Sequence, residues 1–363
     1  MSGRFIGILL ALTFLPVCDV SVAATPPAQP PNGPGGSNYP HASVVKNVYG
    51  TGVDQYWIFE PADPAPVSAP LIVFNHGWGA VNPRGYGAWI EHLVRRGNIV
   101  VYPRYQEQWR SPPEEIAGNA IRAVKDAIKR LEDGRHVKPE LSKFAIVGHS
   151  AGGQTSANMA ARARASGLPE PKAIMCVQPG KSWNKVERAC IPLDDLGKIP
   201  RGVLLLAVVG DNDTIARDID AKRIFAETTQ ISLSNKDFII LVSDDHGKPA
   251  LAADHFAPCA LDNDYDSGEK NDQQGSLSSL KETLSSRAIE RTGARDFPSL
   301  NGKLHSTDAL DYYGLWKLFD GLCDAAFYGK NRDFALGNTA SQRFMGKWSD
   351  GVPVKELIVT DKP

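Results

Sequence analysis

Phe144-Ala145-Ile146-Val147-Gly148-His149-Ser150-Ala151-Gly152 is the stretch on which the reading of this chain turns. The four apolar residues suit a strand buried on both faces, and the residues from Gly153 to Arg164 suit a helix. Between them the pattern G-x-S-x-G requires a sharp turn, with small residues on either side of the serine. Such a turn lifts the hydroxyl clear of the sheet edge and aims the next backbone N–H at a reacting atom. In a chain with 33 glycines the pattern alone means little. Its place at the end of a buried run and the start of a helix gives it weight. The competing reading is a plain strand-to-helix turn.

Outward from this point, apolar runs and helical periodicities alternate. Leu71–Phe74, Asn98–Tyr102, Ala173–Val177, Val203–Val209 and Phe238–Val242 read as further buried strands. Ser43–Val48 and Gln55–Phe59 read as a first antiparallel pair. Ser111-Pro112-Pro113-Glu114 has the form of a capping box. After it, Ala117, Ile121, Val124, Ile128 and Leu131 recur on one helical face, and Gly134 is a natural stop. Gln154–Arg164, Ile215–Glu227 and Ala309–Ala326 complete the helical stretches. Strands alternating with helices predict a mostly parallel, twisted sheet covered by helices on both faces. Residues 41–330 form the expected domain. The polar stretch 262–304 reads as an insertion or lid-like loop before the last helix, and residues 331–363 as a C-terminal extension with Pro353–Val359 as one strand.

A serine hydroxyl is a weak nucleophile until a base takes its proton and a third group orients that base. Strand Val203–Val209 runs into Gly210-Asp211-Asn212-Asp213-Thr214, and Asp213 is the favoured acid, with Asp211 a turn residue. For the base, spacing after strand Phe238–Val242 favours His246, with His255 as the alternative. His41, His92, His136 and His305 carry no local signal, and His149 is expected to point away from the chemistry. The oxyanion hole needs two N–H donors. Ala151 is the first and Trp78 the second, from the loop Asn75-His76-Gly77-Trp78-Gly79-Ala80. Trp78 and Gly79 also stand as substrate-binding candidates.

Taken together, His76-Gly77-Trp78-Gly79, the elbow Gly148–Gly152, Asn212-Asp213-Thr214-Ile215-Ala216 and His255-Phe256-Ala257-Pro258 resemble the α/β-hydrolase superfamily over roughly Ser43 to Tyr328. Within it the chain is similar to secreted cutinase-like and polyester hydrolases and to dienelactone-hydrolase-like esterases. The resemblance implies the α/β-hydrolase fold and hydrolysis of a carboxylic ester through an acyl-enzyme, without a cofactor. The His-Phe-Ala-Pro context is what keeps His255 beside His246. Compact polyester hydrolases lack an insertion like Asp262–Leu304 and a tail like Gly337–Pro363. Amide or peptide hydrolysis would use the same residues, and a non-enzymatic binding protein on the same scaffold is the more distant alternative.

The rest of the chain bounds these readings. Its 363 residues, 42% hydrophobic with formal net charge −1, give ample core and no charge asymmetry that would favour nucleic acid. Arg4, the apolar run Phe5–Val17 and the small residues at Val22-Ala23-Ala24 read as a signal peptide over residues 1–24. A secreted or periplasmic monomer, with no membrane span once the signal is removed, is expected. Residues 25–40 are rich in Pro and Gly and read as a flexible leader. Removing the signal takes Cys18 and leaves four cysteines, for which Cys176–Cys190 and Cys259–Cys323 are the expected disulfides. The cysteines lack metal-site spacing. Asp262-Asn263-Asp264-Tyr265-Asp266-Ser267-Gly268 alternates carboxylates as cation loops do. Its glycine is one residue late for an EF-hand and no closing glutamate follows, so no metal is expected.

Overall fold

The computed structural model describes residues 23–107, 111–182, 190–268 and 306–363. Among these residues nine strands form one sheet in the order β1-β2-β4-β3-β5-β6-β7-β8-β9. β1 (Ser43–Tyr49) and β2 (Tyr56–Ala62) pair antiparallel, and β2 joins β4 (Ile99–Pro103) antiparallel. β3 (Ser68–Asn75), β4, β5 (Lys138–His149), β6 (Ala173–Val177), β7 (Leu204–Gly210) and β8 (Lys236–Leu241) are parallel neighbours.

Strand periodicity divides the core between the two faces. Ile72 and Phe74 point to one side of β3, where they meet Trp89 and Leu93 of α1 (Gly87–Arg95) and Leu318 and Leu322 of α5 (Lys317–Tyr328). Leu71 and Val73 point to the other, against Ile121 and Val124 of α2 (Ile116–Leu131) and Met159 of α3 (Ala151–Ser166). α4 (Ile219–Glu227) joins that second layer through Ile224, beside Ala157 and Ala160 of α3. Each fully buried Leu, Ile or Val side chain contributes about 1.5–3 kcal/mol. No helix among the described residues is long and apolar enough to cross a membrane.

Several expectations are revised. α2 begins later than the capping-box reading, after a 3₁₀ turn at Pro113–Glu115. The Ser111 hydroxyl does not cap it, because it accepts the Glu107 N–H at 2.8 Å. The segment Ala309–Ala326 opens as a π-helix over Leu310–Trp316 before settling into α5. The tail supplies one strand, β9 (Ile358–Thr360), antiparallel to β8 at the sheet edge.

The Pro/Gly-rich leader 25–40, with Ala24 just before it, is packed rather than loose. Thr25 N–H reaches Ser349 Oγ at 2.9 Å, Ser349 N–H reaches Thr25 O at 3.0 Å, and Lys248 N–H reaches Ala24 O at 2.8 Å. Gly35 N–H donates to Asp320 Oδ2 at 2.7 Å, and the same oxygen accepts from His92 Nε2 at 2.8 Å and lies 3.1 Å from Arg96 Nε. Burial pushes the Asp320 carboxyl up, but Arg96 and His92 outweigh it and hold it below its ordinary value. A segment without helical or strand periodicity is thus held by its own backbone polar groups.

Neither expected disulfide forms. Cys176 lies mid-strand among Ala157, Ala160 and Leu205. Cys259 faces Tyr86, while Cys323 faces Asp320, Asp324 and Arg96, so the second expected pair has separate neighbours. Residues 1–22 of the expected signal peptide 1–24 and residues 269–304 of the expected insertion lie outside the described residues, as does His305. In the described start of the insertion, Asp266 accepts from Asn82 Nδ2 at 2.9 Å and from Arg84 Nη1 at 3.3 Å, and Asp262 Oδ1 accepts the Asp264 N–H at 2.9 Å.

Candidate active site

β5 passes into α3 through Ser150, whose backbone sits at φ 54, ψ −122. An L residue rarely adopts this conformation, and it persists only where its surroundings hold it. Here they do. Ser150 N–H donates to Val177 O at 2.9 Å, and its carbonyl accepts from Gly153 N–H at 2.8 Å and Gly180 N–H at 3.2 Å. The flanking glycines are steric necessities. A Cβ on Gly148 would stand 2.2 Å from Gly152 O, and one on Gly152 would stand 2.1 Å from Asn75 O. The second contact shows how closely the elbow is pressed against the end of β3.

Three side chains converge at this turn. His255 Nε2 lies 3.0 Å from Ser150 Oγ, and His255 Nδ1 lies 2.8 Å from Asp213 Oδ2. The other carboxylate oxygen of Asp213 accepts the N–H groups of Ile215 at 2.8 Å and Ala216 at 2.9 Å. Burial pushes the Asp213 carboxyl up, but hydrogen bonds from His255, Ile215 and Ala216 and the pull of the imidazole outweigh it and hold its pKa low. Asp213 and His255 are both buried, at 7% and 6% exposure, so the pair sits in a medium that strengthens its attraction. An imidazole held between a buried carboxylate and a hydroxyl can take that hydroxyl's proton and return it.

The base favoured by spacing is not in this group. His246 Nε2 pairs with Asp350 at 2.7 Å, and its ring lies 5.6 Å from that of Trp348. After β8 the chain makes an excursion closed by two hydrogen bonds between Asp244 and Leu251, each 2.8 Å. It returns across the end of β7, where Asn212 N–H donates to Ala253 O at 3.2 Å. That return sets His255 opposite Ser150 and leaves His246 at the far end of the excursion. Asp211 is turned away as well, accepting from Ser243 N–H at 2.9 Å and Ser243 Oγ at 2.5 Å.

The loop after β3 lies beside the elbow, where a Cβ on Gly77 would stand 3.5 Å from Ser150 Cβ. Gly77 N–H donates to Tyr86 Oη at 3.0 Å, and Gly79 N–H to Gln106 Oε1 at 2.9 Å. Trp78 packs, half-buried, on the core layer under α2. Ala151 opens α3, so its N–H is among the first-turn donors that a helix does not use itself.

His149 does not point away. Its Nδ1 lies 2.8 Å from Tyr86 Oη and its ring centroid 4.8 Å from that of His255. Tyr86, Gln106 and Gln178 also bear on the site, and sequence spacing holds no signal for them.

A mostly parallel sheet wrapped by helices, with a strained serine between its fifth strand and the next helix, gives this chain the α/β-hydrolase fold. It matches the family described as alpha/beta hydrolase fold over residues 72–197, which holds the elbow and the loop after β3 but not Asp213 or His255. It is similar to Esterase LipI of Mycobacterium tuberculosis (strain ATCC 25618 / H37Rv), 31% identical over 153 residues, or 40% of this chain and 46% of that esterase. The chain therefore spans about half the length of that relative.

Proposed function

We propose that this α/β hydrolase cleaves carboxylic esters through Ser150, His255 and Asp213. The observation that carries the reading is the single imidazole bridging Ser150 Oγ at 3.0 Å and Asp213 Oδ2 at 2.8 Å. Ser150 Oγ attacks the acyl carbon as His255 Nε2 takes its proton. Asp213 keeps the other ring nitrogen protonated and stabilises the imidazolium. The N–H groups of Ala151 and Trp78 hold the negative oxygen of the tetrahedral intermediate, where one such donor is worth about 3–4 kcal/mol of barrier. The intermediate collapses as His255 passes its proton to the departing alkoxide. Water, deprotonated by the same imidazole, then releases the acid and restores Ser150.

The likeness to an esterase supports an ester over an amide substrate. Export is part of the proposal and rests on Arg4, the apolar run Phe5–Val17 and the small residues before Thr25.

The test is hydrolysis of p-nitrophenyl esters, acetate through palmitate, and of a p-nitroanilide. Wild type should turn over an ester. Ser150→Ala and His255→Ala should each lose roughly a thousandfold or more, while His246→Ala keeps its rate. Folded wild type that turns over no ester, or a Ser150→Ala variant with full activity, would overturn the reading. Cleavage of the anilide in preference to the esters would move it to an amidase.

A further inference from the structure

Beneath the reacting groups lies a second polar assembly that the reaction above does not use. The Tyr86 hydroxyl accepts the Gly77 N–H at 3.0 Å and shares a hydrogen bond with His149 Nδ1 at 2.8 Å. With the tyrosine as donor in that bond, His149 carries its own proton on Nε2. The His255 backbone and the Gln178 side chain lie close to the ring, while Nε2 itself is buried without a hydrogen-bond partner among the described residues. Gln178 Nε2 in turn donates to the carbonyl of Asp254, the residue before His255, at 2.7 Å. The His149 ring meets the His255 ring at 4.8 Å with a tilt of 47°. Tyr86 and His149 are 1% and 3% exposed, so water does not compete for these bonds.

We propose that Tyr86 and His149 are positioning residues: one tyrosine hydroxyl couples the loop before Trp78 to the imidazole that sets the place of His255. The inference rests on the reading of His255 as the base. Its physical basis is that a floor for a catalytic imidazole must touch it, must not turn and must not become charged. The Tyr86 hydroxyl holds Nδ1, and close burial holds the rest of the ring in place. Burial pulls the His149 pKa down to about 3, and the nearby His255 pulls the same way, so the ring stays uncharged while His255 cycles through its cation. A rigid support of this kind keeps a base within the fraction of an ångström that proton transfer requires.

The experiment compares Tyr86→Phe, His149→Gln and His149→Leu with wild type and Ser150→Ala, in p-nitrophenyl acetate kinetics and in the ¹⁵N spectra of histidine-labelled protein. Glutamine can accept from Tyr86 and donate on its far side, whereas leucine can do neither. Tyr86→Phe and His149→Leu should lower kcat by roughly 10- to 100-fold with KM within about twofold, and His149→Gln should restore most of the loss. In wild type the His149 signals should show a bare Nδ1 and a protonated Nε2, and Tyr86→Phe should shift the His255 signals. Unchanged kcat in Tyr86→Phe, or a glutamine variant no better than leucine, would overturn the inference while leaving the esterase reading intact. Should wild type prove inactive, the esterase reading falls, and the His255 signals alone decide whether Tyr86 positions it.

Discussion

His255 Nδ1 lies 2.8 Å from Asp213 Oδ2, in a pocket where neither side chain is more than 7% exposed. The carboxylate fixes which ring nitrogen keeps its proton. Asp213→Asn preserves the shape but offers an amide where an acceptor is needed, so kcat should fall by roughly 10³- to 10⁴-fold. Steady-state hydrolysis of p-nitrophenyl acetate reads this, and a loss below tenfold would show that Asp213 does not orient the base.

Lys317 is buried under the tail and donates to the carbonyls of Gln342 at 2.8 Å and Phe344 at 2.5 Å. Burial pulls its pKa from 10.5 down to about 7. Between those values the unfolded chain binds the proton more readily than the folded one, so Lys317 makes stability rise with pH from about 7 towards 10.5. Urea titrations across that range should show the rise in wild type and a flatter profile in Lys317→Met. Equal slopes in the two proteins would contradict the assignment.

Because no disulfide links Cys176, Cys190, Cys259 and Cys323, the melting temperature should be the same with and without reductant. All four should react with a thiol reagent once the chain is unfolded, with no prior reduction. Mass spectrometry that finds a native crosslink among them would contradict this.

Two glycines should respond in opposite directions to alanine. At Gly152 a Cβ would stand 2.1 Å from the Asn75 carbonyl, so Gly152→Ala should destabilise by at least about 1–3 kcal/mol and should lower activity by moving the loop after β3. At Gly118, inside α2, a Cβ meets nothing within 4 Å, and Gly118→Ala should stabilise by about 0.5–1 kcal/mol. Chemical denaturation measures both, and a stable, active Gly152→Ala would refute the close approach.

What the sequence disclosed follows the range of the forces involved. The sheet was legible because buried parallel strands advertise themselves: Ala173–Val177 is a strand at the limits expected, and Phe144–Val147 is the buried end of a longer one. The elbow was legible because its steric demands fall within five residues. The histidine that meets Ser150 was not, because a count from β8 assumes a direct loop, whereas the bonds between Asp244 and Leu251 fold the chain into an excursion. The fragment His255-Phe256-Ala257-Pro258 held the better clue. The leader misled for a related reason: its order comes from Asp320, Ser349 and Lys248, hundreds of positions away. Tyr86 and His149 meet across 63 positions and leave no local trace.

The backbone at Ser150, at φ 54 and ψ −122, also bears on how such a protein changes over generations. Glycine would relax that conformation, so a population selected only for resistance to heat should drift towards Ser150→Gly and lose its hydroxyl. Only continued demand for chemistry keeps a serine there. The position thus sets the proposed need for a reactive oxygen against a local gain in durability.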